Sequence, residues 1–179
     1  AAPRSPWRVF STTLPNHTSH MPDNEAAMTS WAESFKTSDP LQPIATDIAS
    51  AATALAASGT ATHSTVALLG LSRGALLASV AASLAPSSVS ALLGFAPVTN
   101  LAALAGFDFS SDPAARARVA RWDVCRAEVV EALAGGKGMP MLHVRYYIGN
   151  RDTRVGSENA WRAVRAVAER GYEMGRRSP

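Results

Sequence analysis

Apolar and polar positions change period repeatedly along this chain, and the changes divide it into alternating strands and helices. Short apolar runs at Trp7 to Thr12, Val66 to Leu71, Val89 to Phe95 and Met141 to Ile148 read as strands. Between them the apolar residues fall at helical spacing. Glu25 to Phe35 puts Ala27, Met28 and Trp31 on one face, and Ile44 to Ala57 aligns Ile44, Ile48, Ala51 and Leu55 before ending at Gly59. Arg73 to Leu84 predicts a helix stopped at Pro86, and Asp112 to Trp122, Asp123 to Ala134 and Ser157 to Arg170 predict three more. Asp112 followed by Pro113 is a strong helix start, because the carboxylate can cap while proline occupies the first turn. Strands alternating with helices imply an open parallel α/β sheet of about four or more strands covered by helices. The 179 residues form a single domain, 1–179.

One junction carries candidate chemistry. Val66-Ala67-Leu68-Leu69-Gly70-Leu71-Ser72-Arg73-Gly74 runs from an apolar strand through GxSxG directly into the alanine-rich helix. Such a serine sits on a sharp strand-to-helix turn, where Gly70 and Gly74 are expected to remove side chains that would collide across it. Its hydroxyl would project at the carboxyl end of the strand. The backbone N–H of Arg73, at the positive end of the helix dipole, would face a developing oxyanion there. This strand-turn-helix context resembles the nucleophile elbow of the α/β-hydrolase superfamily. A late strand, Met141 to Ile148, then leads into Gly149-Asn150-Arg151-Asp152-Thr153-Arg154-Val155, wording similar to the esterase and oligopeptidase-like branches. The resemblance implies that Ser72 is the nucleophile of an acyl transfer on a small ester or amide, that Arg73 supplies an oxyanion N–H, and that Asp152 is the triad acid. It also implies a short lid at 100–138, for which plain packing helices are the alternative. No cofactor is implied. Arg73 and Arg154 would favour an anionic substrate if they face it, and are otherwise surface or supporting groups.

Two departures from that pattern decide the functional expectation. No histidine occurs between Asp152 and Pro179, although the serine proton needs an acceptor at neutral pH. His143 and His63 enter their strands from the amino end, far from Ser72, whereas His17 or His20 follows the first strand and could approach it. The second oxyanion loop of the resembled fold is also missing, since only six residues precede Trp7. The chain therefore reads as a serine hydrolase-like protein of the acyl-hydrolase class that is inactive on its own. The alternative is a noncatalytic hydrolase-like subunit of a larger assembly, whose partner covers the sheet edge near Trp7 to Thr12. A fragment of a longer enzyme, a chain with unsequenced parts and a reduced subunit all fit this pattern. The opening residues lack both methionine and the apolar core of a secretory signal, so the chain is expected to begin inside a longer precursor.

Composition removes other classes. The formal net charge is +3, and most basic residues lie after Arg116 at helical intervals with apolar residues between them. That is the pattern of a solvated helix face rather than a nucleic-acid footprint. The richest apolar run, Val66 to Leu84, is broken by Arg73 and serines and does not predict a membrane span. A single cysteine, Cys125, excludes an intrachain disulfide and points to a reducing intracellular or organellar compartment; it reads as a small core residue in a helix. The four histidines show no metal-ligand spacing, and the Gly135-Gly136-Lys137-Gly138 cluster lacks the residues of a phosphate loop and reads as a linker.

Overall fold

In the computed structural model the described residues are 8–12, 14, 24–59, 64–135, 142–149, 152 and 155–177. They form six α-helices and a parallel three-stranded sheet. Helices α1 (Asn24–Thr37) and α2 (Gln42–Ala57) lead into β1 (Val66–Leu71), α3 (Arg73–Leu84) and β2 (Val89–Phe95). A short turn of 3-10 helix (Leu101–Ala103), α4 (Pro113–Ala120), α5 (Ala127–Leu133), β3 (His143–Tyr147) and α6 (Ser157–Arg177) follow. The sheet order is β1-β2-β3, so every connection steps one strand further in the same direction.

The count of strands corrects the expectation of four or more. Of the run Trp7 to Thr12, residues 8–12 are described and have no strand pairing, and Val9 and Phe10 are exposed. Among the described residues the sheet is bounded on that side by β1. The other three apolar runs do form the strands, β2 over the full range expected.

Helix α3 is the centre of the molecule. After Arg73 its sequence carries no charge, and Ala75 to Ala82 are all buried, which is the pattern of a helix packed on all sides. It lies on β1 and β2 with α2 and α5 against its other flanks. Two features allow this close packing. Gly70 and Gly94 are register partners on the face below the helix, and a Cβ on Gly94 would stand 3.3 Å from the Ala75 methyl. On the other side α2 meets α3 through small residues, with Ala49 clustered against Ala81 and Ala85. The buried stripe of α2 is Ala45, Ala49 and Ala52, each one position after Ile44, Ile48 and Ala51 of the expected row, which continued to Leu55. Alanines allow the helix axes to approach, and Ile44 and Ile48 pack at the margin of the contact.

The stretch 100–138 contributes core side chains as far as it is described. Leu101, Phe107, Val119, Trp122 and Leu133 join Trp31, Phe35 and Leu41 in the main hydrophobic cluster. Phe107 stands edge-on to both Phe35 and Phe109, with centroids 6.1 and 6.5 Å away. Asp112 caps α4 as its sequence implies, accepting from the N–H of Ala115 at 2.9 Å. Asp39 has a similar role ahead of α2, accepting from the amides of Leu41 and Gln42 and from the indole N–H of Trp122 at 3.0 Å.

Below α3, Tyr146 of β3 directs its hydroxyl to Ser79, 2.6 Å away. Burial pushes this phenol up to about 12, so the fold favours its protonated form. The stabilisation is complete below the unfolded value near 10 and disappears as pH rises through 12. Tyr146→Phe is expected to flatten the alkaline limb of the stability curve by about 2 kcal/mol relative to the parent chain. Urea titrations at pH 9 and pH 11.5 measure it; parallel curves for the two proteins would remove Tyr146 as the cause.

The opposite face of the sheet is uncovered among the described residues. Burial alternates along each strand, placing Leu68, Gly70, Leu92, Gly94, Val144 and Tyr146 under α3. Leu69, Leu71, Leu93, Phe95, Arg145 and Tyr147 point the other way, and Leu69 and Leu71 are 68% and 66% exposed. Among the described residues the expectation of a sheet covered by helices thus holds for one face.

Candidate functional site

Ser72 occupies the turn between β1 and α3. The parallel pairing of β1 with β2 places it at the carboxyl edge of the sheet. Its backbone has φ 53° and ψ −116°, a region that side-chain-bearing residues adopt only when their surroundings hold them there. Three hydrogen bonds do so. Ser72 N–H donates to the carbonyl of Phe95 at 2.8 Å, and the Ser72 carbonyl accepts from Ala75 at 3.0 Å and from Val98 at 3.2 Å. Ala96, which follows β2 at the same edge, also has positive φ, 41°.

The two glycines of the motif are not equivalent. A Cβ on Gly70 would lie 2.4 Å from the backbone of Gly74 and of Ala75, whereas one on Gly74 would meet nothing within 4 Å. The expectation that both glycines relieve a collision across the turn is therefore corrected: Gly70 does, and Gly74 faces open space beside Ser72.

Arg73 begins α3, with its backbone in the first turn of a 12-residue helix. The N–H groups of that first turn lack intrahelical partners and lie at the positive end of the helix dipole. Its side chain turns inward. The guanidinium lies over the Trp31 ring at 4.6 Å from the centroid, and the residue as a whole is buried, 7% exposed. Burial lowers its pKa from the ordinary arginine value. The alternative that this side chain receives an anionic substrate is thus corrected, because the group is consumed in the core.

Asp152 follows β3 at the same carboxyl edge as Ser72. Its N–H donates to Gly149 at 3.2 Å and its carboxylate accepts from the N–H of Val155 at 3.3 Å, which folds the chain into α6. β2 stands between β1 and β3, so Ser72 and Asp152 depart from strands two spacings apart, roughly 10 Å. His143 pairs with Ala91, which pairs with Ala67, and so lies level with a point about 17 Å before Ser72 along the sheet. His17, His20, His63 and Arg154 lie outside the described residues. No group of metal-ligating side chains occurs among the described residues. A shallow groove of about 410 Å³ runs along the outer edge of β3, against Trp161 and Val164 of α6, on the far side of the sheet from β1.

One polar cluster has no sequence signal beyond its residue types. Asp123 accepts from the side chains of Asn100 at 3.2 Å and Arg162 at 3.0 Å and from the N–H of Cys125 at 2.8 Å. Arg162 also donates to the Cys125 sulfur at 3.4 Å. The cluster ties the segment after β2, the turn between α4 and α5, and α6 together. Cys125 therefore lies in a turn rather than the expected helix, and its thiol is pushed up by burial, which outweighs the neighbouring guanidinium. A thiol raised in this way stays protonated and unreactive at neutral pH.

No family model, curated protein or solved structure matches this chain. No helix among the described residues is long and apolar enough to cross a membrane.

Proposed function

We propose that the chain is an acyl-hydrolase-type protein whose nucleophile elbow is built around Ser72, and that by itself it lacks an effective general base. The observation that carries this reading is the conformation of Ser72: a strained residue at the carboxyl edge of a parallel sheet, directly between a strand and a helix. Ser72 Oγ would attack the carbonyl of a small ester, and the Arg73 N–H would stabilise the oxyanion formed. Asp152 would orient an imidazole from across β2. The succession of β1, β2 and β3 in one direction supports this, because it delivers Ser72 and Asp152 to the same edge in the order the resemblance requires.

Without an imidazole at the elbow, turnover of p-nitrophenyl acetate is expected to equal that of Ser72→Ala. Added imidazole should then give a saturable rate in the parent chain above the uniform background seen with Ser72→Ala. A fluorophosphonate probe that labels Ser72 rapidly without imidazole would show a base already in place, and His17→Ala and His20→Ala would identify it. No Ser72-dependent rate under either condition would sink the catalytic reading. The noncatalytic subunit is the second reading, favoured by the uncovered sheet face.

A further inference from the structure

The sheet face opposite α3 has the composition of a core and the exposure of a surface. Register sets three rows across it: Ala67 with Ala91 and His143, Leu69 with Leu93 and Arg145, and Leu71 with Phe95 and Tyr147. The last row is pre-formed, since the Phe95 and Tyr147 rings stack at 4.6 Å with their planes 3° apart. Parallel sheets bury both faces, because connections between parallel strands return as helices above and below them. This face is therefore one that a packing element fits.

Its dimensions and charge say which element. Three strands of five to seven residues present a block roughly 15 Å wide and 20 Å long. A second copy set face to face would bring no carboxylate opposite His143 and Arg145, because its three strands carry none. One α-helix of about 14 residues, some 20 Å long and 10 Å across, matches the block. His143 and Arg145 stand exposed on the β3 side, and no acidic residue occurs in the three strands. We propose that this face docks one amphipathic helix of a partner chain, with an apolar stripe over Leu69, Leu71 and Phe95 and an acidic flank over His143 and Arg145. The proposal rests on the face and is independent of chemistry at Ser72.

Two labelled 18-residue synthetic helices, identical in their leucine stripe and carrying either glutamates or lysines along one flank, test it by fluorescence anisotropy against the full chain. The glutamate helix should bind at least about 10-fold more tightly than the lysine helix, with the difference shrinking as salt rises. Arg145→Glu, an exposed position, should invert that order. Leu71→Asp should weaken the glutamate helix by about 10-fold or more; if that variant does not fold, the inversion by Arg145→Glu decides. Equal binding of both helices, or a preference that Arg145→Glu leaves unchanged, overturns the proposal. So does sedimentation equilibrium showing a dimer that Leu71→Asp dissociates, since a second copy would then be the occupant.

Discussion

Gly70→Ala should cost about 3 kcal/mol or more of folding stability, while Gly74→Ala should be neutral or stabilising by up to about 1 kcal/mol. The contrast follows from what a methyl group would meet. At Gly70 it would stand 2.4 Å from three backbone atoms of Gly74 and Ala75, which cannot move without displacing the start of α3. That helix is buried from Ala75 to Ala82, so a shift at its first turn propagates into the whole core. At Gly74 the same methyl meets nothing within 4 Å, and alanine is the better helix former. Urea midpoints of the two variants measured side by side distinguish them. Equal losses would mean that the elbow is constrained differently from the geometry described.

Trp31→Ala should be the most damaging change in the helical layer, at about 3–5 kcal/mol, and Trp31→Phe should cost less than half as much. Trp31 is fully buried and, with Trp122, is one of the two largest such side chains among the described residues. Its ring also faces the Arg73 guanidinium at 4.6 Å, so truncation leaves both a cavity and a buried cation without its aromatic cover. Arg73→Leu in the Trp31→Ala background separates the two contributions, because it removes the buried charge but not the cavity. If that second substitution restores nothing, the cation contributes little and the loss belongs to packing alone. Calorimetric unfolding of the four proteins completes the cycle.

Val89 to Phe95 and Arg73 to Leu84 fold over the ranges their apolar runs imply, since each is long, uninterrupted and bounded by a turn residue. The run at Trp7 to Thr12 has the same local appearance, yet residues 8–12 pair with nothing described. A strand exists only through its neighbour, and the neighbour is not written in the run itself. The stripe of α2 misleads for a related reason. Ile44, Ile48 and Leu55 are its larger apolar residues at helical spacing, but the contact with α3 selects the alanines because only they permit close approach. At the candidate site the position of Ser72 is legible from its flanking elements. The inward turn of Arg73 is not, because it depends on Trp31, more than forty residues earlier in the chain. The difference between Gly70 and Gly74 is likewise invisible in a pattern that treats them alike.

Ser72 is also a mechanical joint. Its N–H holds the end of β1 to β2, and its carbonyl holds both the first turn of α3 and the chain leaving β2. A single residue in an unfavourable backbone region thus couples a strand, its neighbour and the central helix, and none of the three can loosen there alone. A substitution at position 72 that disfavours positive φ would therefore be felt at the sheet edge and at the start of α3 together.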